Sequence, residues 1–371
     1  MKKIVHIITG LNMGGAERML YNVVTTSNNS KYEHTVISMM DMGYYGHQLK
    51  ERNIQVFCLN MTRGVPRYSS IFEARRICKD ADIIQTWMYH ADLFGTLVKI
   101  LLPGKKLIWG IRLSDVDPNR DTKSTIRAAA INSRLSWIPQ AIVCNSISGI
   151  ENHVRLGYKR DRIKYVPNGI DTDIYYKREN KASEKPLVLC TVGRWNIQKG
   201  YAYLIAALGK VKSKRNDFKL LMCGNQLSED NEALVKLIND AGIFENVRLL
   251  GPCSEVYNIL SKADIFVLPS LGEGFSNALG EAMACELPCI VTDVGDSAEV
   301  LGDSGWVVPP RDSDALAAII INSLEADIEL LREMGVAARK RIVEQFSIIR
   351  SVGIFETLYE EVTNKLINGD L

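Results

Sequence analysis

Short apolar runs rich in β-branched residues recur along this chain, separated by stretches of helical periodicity. In the first half they are Lys3–Ile8, His34–Ser38, Ile54–Leu59, Asp82–Gln85, Leu107–Ile111, Ala141–Asn145 and Ile163–Val166. In the second they are Leu187–Val192, Lys219–Cys223, Val247–Leu250, Ile265–Leu268 and Cys289–Thr292. Strands that alternate with helices predict parallel sheets covered on both faces.

The series is interrupted once. Pro167-Asn168-Gly169 is followed by a polar stretch, Lys177–Lys185, without periodicity, and Val188 then restarts the pattern that Ile4 began. A chain of 371 residues exceeds what one hydrophobic core usually serves. Two α/β domains with a cleft between them are expected, over residues 1–170 and 171–346. Ser347 is a candidate N-cap, and Ile348, Val352, Phe355, Tyr359, Val362 and Leu366 recur at helical spacing. This final helix, about residues 347–367, must bury its apolar face, and the first domain is the candidate surface for it.

Hydrophobic residues make up 46% and charged residues 24%, which excludes a disordered chain, a collagen-like chain and a small disulfide scaffold. The eight cysteines show no Cys-x-x-Cys spacing and several sit in apolar runs, so buried thiols in a reducing compartment are expected. No apolar run reaches the roughly 18–20 residues of a membrane span. The basic start is followed by apolar residues only from Ile4 to Ile8, which reads as a first strand and not a signal peptide, so a cytoplasmic location is expected. The net charge of +2 hides a split, with +11 on residues 1–170 and −9 on residues 171–371. A basic half of this kind suits an anionic partner.

In open α/β sheets, ligands bind beyond the carboxyl ends of the strands, so the segments there carry the functional signal. After the first strand, Gly14 and Gly15 precede a helix and let backbone N–H groups approach a phosphate. Taken alone, the pair is equally compatible with a structural turn. Its spacing is not that of a dinucleotide-binding loop. Val192–Gly200 places Arg194 and Lys199 on a loop that enters a helix, and two converging cations suit a diphosphate. Pro269–Ala282 follows a buried strand, turns on glycines and opens a helix. Glu273 lies on its loop and Glu281 about one turn into the helix. The N–H groups of the Gly274–Asn277 turn can bind an anion, while the two carboxylates can accept hydrogen bonds from sugar hydroxyls.

In order along the chain, Gly14–Arg18, Pro167–Asp171, Gly193–Gly200 and the Glu273/Glu281 segment resemble the retaining nucleotide-sugar glycosyltransferases of the GT-B fold, glycosyltransferase family four (group 1). The resemblance covers essentially the whole chain. It implies two Rossmann-like, doubly wound parallel-sheet domains facing a cleft, the first binding acceptor and the second binding donor. Arg194 and Lys199 would hold the donor diphosphate, helped by the backbone at Gly14, Gly15 and Gly193. Glu273 would contact the donor sugar and Glu281 the ribose hydroxyls. Gly274 and the Phe275-Ser276-Asn277 turn would meet sugar and phosphates, and Gly251–Ser254, with Cys253, would lie beside the base. Arg194, Lys199 and Glu273 are the expected catalytic residues.

The chain departs from the family in one respect. Many members carry a histidine just after the strand equivalent to Leu107–Ile111, where this chain has Arg112. Arg112 can hold an anion but cannot act as a base. His90, beyond another strand end, is a candidate substitute, and an ordinary surface histidine is the alternative. Asn168 joins Arg112 and His90 as a candidate for the acceptor side. Asp-x-Asp occurs at 80/82, 115/117, 171/173 and 312/314, a scatter that reads as capping and loop residues. No catalytic metal or other cofactor is expected.

Lys50, Arg52, Arg63, Arg67, Arg75, Arg76 and Lys79 surround Tyr68, Ile71 and Phe72. From Arg67 onward this stretch reads either as an amphipathic helix on an anionic inner-membrane surface or as a solvated helix face. Nucleic acid is not expected, since no binding motif accompanies the charge. The expected reaction moves a hexosyl unit from a nucleotide diphosphate sugar, UDP the favoured carrier, to a glycan or lipid-linked acceptor. Bacterial cell-surface polysaccharide assembly is the expected setting. A sugar-nucleotide epimerase or hydrolase, or a non-catalytic nucleotide-sugar-binding protein, would use the same donor groups.

Overall fold

A helix returns the chain after nearly every strand, and all the strand pairs among the described residues are parallel. The computed structural model describes residues 1–62, 68–118, 120–177, 186–253 and 255–364. The chain divides into two units, Met1–Gly169 joined by the final helix, and Ile170–Ser347.

The first unit contains strands β1 (Lys2–Ile8), β2 (Tyr32–Ser38), β3 (Gln55–Cys58), β4 (Ile83–Trp87), β5 (Lys106–Ile111), β6 (Ala141–Cys144) and β7 (Ile163–Tyr165). Among the described residues they form one sheet in the order β3-β2-β1-β4-β5-β6-β7. Its helices are α1 (Gly15–Thr26), α2 (Gly43–Glu51), α3 (Tyr68–Ile77), α4 (Tyr89–Ile100), α5 (Lys123–Leu135) and α6 (Ile147–Arg155). Successive side chains of a strand face opposite sides, and β1 shows the consequence. Val5 and Ile7 pack with Ala74, Phe94, Val98 and Ala128, from α3, α4 and α5. Ile4 and Ile8 pack on the other face with Leu20 and Val23 of α1 and Leu49 of α2.

The second unit contains β8 (Leu187–Val192), β9 (Phe218–Cys223), β10 (Val247–Leu249), β11 (Ile265–Leu268), β12 (Cys289–Thr292) and β13 (Gly305–Val308), in the order β10-β9-β8-β11-β12-β13. The helices are α7 (Tyr201–Lys212), α8 (Glu232–Asp240), α9 (Val256–Leu260), α10 (Asn277–Ala284), α11 (Ser297–Leu301), α12 (Ser313–Glu325) and α13 (Ile328–Gln345). The sequence reading missed β13. It is a half-exposed edge strand begun by a glycine, and so lacks the apolar run of its buried neighbours.

The last helix, α14 (Ile348–Asn364), belongs to the first unit. Ile348, Val352, Phe355, Tyr359 and Val362 join the core with α1, and Leu366 lies outside the described residues. Phe355 packs against Trp87, and the Tyr359 hydroxyl donates to Gln85 Oε1 at 2.5 Å. Much of the Lys177–Lys185 stretch also lies outside the described residues.

Candidate active site

Strand order in the second sheet reverses direction between β8 and β11, which pair side by side. Loops leaving the carboxyl ends of two such strands pass to opposite faces and leave a crevice between them. The Gly193–Gly200 loop follows β8 and the Pro269–Ser276 loop follows β11, so this reversal brings together residues far apart in sequence. The Lys199 Nζ donates to Glu273 Oε1 at 2.6 Å, and the Ser270 Oγ donates to the same oxygen at 2.6 Å. Both side chains of the ion pair are only partly exposed, Lys199 at 22% and Glu273 at 10%. Two further contacts hold the loops. Leu271 N–H donates to the Gln198 carbonyl at 2.6 Å, and Thr292 Oγ1 donates to the Ser270 carbonyl at 2.5 Å.

Close approach requires glycine at two points. Gly200 has φ +62°, and a Cβ there would lie 1.9 Å from the Pro269 carbonyl oxygen. Gly295, in the loop after β12, has φ +56°, and its Cβ would lie 2.0 Å from the Glu273 carbonyl oxygen. The sequence reading did not single out Gly295. Its signal, Val294-Gly295-Asp296 beyond a strand end, is visible only once β12 is placed beside β11.

Arg194 lies exposed on the β8 loop, and Gly193 N–H donates to Cys223 O at 2.9 Å. Glu281 is 3% exposed within α10, and the adjoining carboxylate helps push the buried Cys285 thiol upward. Ser276 N-caps α10, its Oγ accepting from Leu279 N–H at 3.4 Å. The Phe275 ring is buried against Phe346 at 5.5 Å, so this turn offers a ligand its backbone and not its ring. The first turn of a helix leaves N–H groups free of intrahelical acceptors, and Asn277 begins that turn. Gly274 lies on the loop before it, with its carbonyl accepting from Asp296 N–H at 3.4 Å.

Gly224 N–H donates to the Gly251 carbonyl at 2.9 Å, which joins the ends of β9 and β10. Gly251 is buried with φ +65°, and Cys253 is half-buried beside Cys223. Ser254 lies outside the described residues.

In the first unit, Gly14 is the N-cap of α1 and Gly15 its first residue. The Glu17 carboxylate folds back over that helix start, with Oε2 2.2 Å from where a Gly14 Cβ would stand. Burial raises the Glu17 pKa, and a hydrogen bond to its own backbone N–H opposes the rise. The Glu17 carboxylate thus lies at the helix start where a phosphate site is one expectation and a structural turn the other.

Arg112 is buried at the end of β5. Its Nη1 donates to the Val166 carbonyl and to Asn168 Oδ1, both at 3.2 Å. The guanidinium lies 5.1 Å from the Trp87 ring centre and 5.4 Å from that of Phe355. Burial brings its pKa down to about 10, which still leaves it charged at neutral pH. Arg112 thus ties the Val166–Asn168 segment to the sheet through Nη1, while its buried Nε and Nη2 have no hydrogen-bond partner among the described residues. Asn168 is also buried, and Asn145 Nδ2 donates to its Oδ1 at 3.4 Å. His90 is half-buried in the first turn of α4, and burial lowers its pKa. The preceding Met88 has φ 74° and ψ 158°, a region occupied almost only by glycine.

The Asp-x-Asp pairs serve local structure. Asp312 caps α12, and Asp171 accepts from the N–H groups of Asp173 and Ile174. Asp115 pairs with Arg120 at 2.9 Å, and Asp82 accepts from Lys3 N–H. Among the described residues, no group of three or more His, Cys, Asp or Glu side chains is arranged around a common point. All eight cysteines are free thiols, six of them buried. No helix among the described residues is long and apolar enough to cross a membrane. In the basic stretch, Arg63 and Arg67 lie outside the described residues. The apolar residues Ile71, Phe72, Ala74 and Ile77 of α3 are divided between the core and the surface. Ala74 is buried in the core, with Ile71 and Ile77 packed against it, while Phe72, Arg75 and Arg76 are exposed.

Residues 174–341 match the family described as Glycosyl transferases group 1, and residues 13–174 match Glycosyltransferase Family 4. Alpha-maltose-1-phosphate synthase of Mycolicibacterium smegmatis is 35% identical over 50% of this chain and 54% of its own length. N-acetyl-alpha-D-glucosaminyl L-malate synthase of Bacillus anthracis is 32% identical over 60% of this chain and 59% of its own. The Escherichia coli UDP-Gal:alpha-D-GlcNAc-diphosphoundecaprenol alpha-1,3-galactosyltransferase is 25% identical over 55% and 56%. The chain thus spans little more than half the length of these curated relatives. Anabaena HepE, solved with UDP and glucose, matches with a TM-score of 0.81 at 20% identity, covering 96% of this chain and 99% of that one. Likeness at that identity speaks for the fold, two parallel α/β units of the GT-B type. With both of its units matched in sequence, the chain belongs to the group 1 glycosyltransferases, family 4.

Proposed function

We propose that this protein transfers a hexosyl unit from a nucleotide diphosphate sugar, with UDP as carrier, to a glycan or lipid-linked acceptor, retaining the anomeric configuration without a metal. The observation that carries the reading is the Lys199–Glu273 pair at the strand-order reversal, 2.6 Å apart. Bacterial cell-surface polysaccharide assembly is the proposed setting. The name of the E. coli relative states a UDP-sugar donor and a diphosphate-lipid acceptor, and HepE was solved with UDP.

In this reading Lys199 and Arg194 bind the donor diphosphate, and Glu273 orients the sugar through its hydroxyls. The bond from the anomeric carbon to the diphosphate oxygen breaks while the acceptor hydroxyl oxygen attacks from the same face. The acceptor's proton passes to the departing phosphate oxygen. Charge develops on the diphosphate as this happens, and the two cations and the α10 N-terminus stabilise it. Glu281, buried in α10, accepts from the donor's ribose hydroxyls, and the Gly251–Cys253 loop lies beside the base.

A thermal-shift panel of UDP-, GDP-, ADP- and dTDP-sugars, each with and without EDTA, tests the donor site. A ligand at 100-fold its dissociation constant adds about 2.7 kcal/mol of stability. Selective stabilisation by a UDP-sugar, unaffected by EDTA, is expected. A folded protein that responds to none of them would overturn the donor assignment. Consumption of donor at the same rate with and without acceptor would instead mark a hydrolase or epimerase.

A further inference from the structure

At the amino ends of β1, β2 and β3 the first sheet carries a hollow of about 270 Å³ on the face that α3 covers. Its origin can be read along the strands. Lys3, Val5 and Ile7 of β1 share one face, as do Glu33, Thr35 and Ile37 of β2, and the register sets Lys3 beside Glu33 and Val5 beside Thr35. On β3, Gln55 stands beside Thr35 and Phe57 beside Ile37. Val5, Ile7 and Ile37 are buried in the core with Ala74 of α3. Toward the amino ends the cover runs out. Helix α3 stops at Ile77, the chain turns through Cys78–Asp80 toward β4, and the edge strand β3 begins only at Gln55. The corner is lined instead by polar side chains of the sheet and by Arg76 and Asp80.

Four charged groups line this hollow, Lys3 and Arg76 together with Glu33 and Asp80. Among the described residues no ion pair joins any of the four, and neither Gln55 nor Thr35, also in the lining, uses its side chain in a hydrogen bond. Two positive and two negative groups cancel, so the hollow offers no net field to an ion, and any ion would meet two like charges. The lining suits a neutral ligand rich in hydroxyls. Carboxylate oxygens accept hydrogen bonds from hydroxyl groups, while ammonium, guanidinium and amide N–H groups donate to them. Phe57 and Ile77, both half-buried, add an apolar patch. A pyranose carries both features, hydroxyls around its rim and C–H groups on its faces. The volume falls just below the roughly 300–1,000 Å³ of sites for drug-sized ligands, which suits a single sugar ring.

We propose that this hollow is a saccharide site, binding one neutral hexopyranose residue through Glu33, Asp80, Arg76 and Gln55. It lies at the opposite end of the first sheet from the strand ends that carry Arg112 and His90, so a sugar held here takes no part in the chemistry. The inference stands on the lining of the hollow and not on the donor assignment.

Saturation-transfer NMR on the intact protein tests it, with glucose, galactose, mannose and N-acetylglucosamine as probes and with glycine and inorganic phosphate beside them. Transfer to at least one of the sugars is expected. Glu33→Ala/Asp80→Ala removes two charge-assisted hydrogen bonds and should weaken that binding at least about tenfold in a titration. Its melting temperature should stay unchanged, because neither carboxylate has a partner among the described residues. Lys199→Ala should leave the sugar signal as it is, which separates this site from the donor crevice. Absence of transfer to every sugar overturns the proposal, whether or not glycine or phosphate binds instead. Transfer that the double variant leaves undiminished, or that Lys199→Ala abolishes, overturns it as well, by placing the sugar elsewhere.

Discussion

Lys199 and Glu273 meet at 2.6 Å across the ends of β8 and β11, with the Ser270 hydroxyl sharing the same carboxylate oxygen. This pair holds the lysine charge at the crevice and fixes the carboxylate's direction. Binding of a diphosphate offers the ammonium a second anion. In the proposed function the pair serves a ligand that carries both phosphate and hydroxyl groups; it contributes little to stability, as partly solvated ion pairs do.

The Lys199→Ala variant should therefore separate catalysis from folding. Loss of a cation that stabilises developing charge is expected to raise the barrier by about 2–4 kcal/mol. Its melting temperature should stay close to that of the wild type. Near-normal turnover of Lys199→Ala at saturating donor would remove Lys199 from the catalytic set.

Arg112 is expected to act through the fold. Arg112→Ala removes two hydrogen bonds and opens a space between Trp87 and Phe355, at a cost of about 3 kcal/mol in chemical denaturation. Arg112→Met refills much of that space and should recover more than half of the loss. An Arg112→Ala protein of unchanged stability that no longer uses acceptor would instead make Arg112 a ligand-binding residue.

Gly200→Ala should destabilise the protein by about 3 kcal/mol, because the backbone is left-handed and the new Cβ meets the Pro269 carbonyl. Gly104→Ala is the matched control, since a Cβ there meets nothing within 4 Å. A thermal melt distinguishes the two. Equal melting temperatures would mean that the β8 and β11 loops are not held together as described.

Acid should unfold the first unit through its buried histidines. Trp87 Nε1 donates to His6 Nδ1 at 3.2 Å, and His6 and His34 share a hydrogen bond of 2.9 Å. Burial lowers both pKa values, His34 from 6.5 to about 4 and His6 well below its ordinary value, where His34 adds to the lowering. A base with a depressed folded-state pKa is protonated first in the unfolded chain. Stability is therefore whole above the unfolded pKa of 6.5 and falls as pH drops toward 4, by about 3 kcal/mol for His34 alone. Denaturant midpoints measured across this range should fall with pH, and His34→Asn should flatten the slope.

Several features were legible in the residues because they are local. Leu187–Val192 and Ile265–Leu268 read as strands because a strand buried on both faces is apolar throughout. Ser276 and the glycines before it mark a turn into a helix, and α10 begins at Asn277. The edge strand β13 was not legible, since half of it faces water. Nor was the position of the Glu17 carboxylate over Gly14, because the residues alone do not tell a capping carboxylate from a vacant helix start.

The periodicity of this sequence by itself determined two parallel α/β units, with Arg194, Lys199, Glu273 and Glu281 beyond or just after strand ends. That follows because burial imposes its period on each segment separately. Tertiary structure alone decided which of those strand ends are neighbours. The order β10-β9-β8-β11 brings Lys199 to Glu273, and the return of α14 to the first sheet seals Arg112 beneath Phe355. Such neighbours are chosen by how whole sheet and helix faces fit together, a long-range balance that no local stretch of the chain contains.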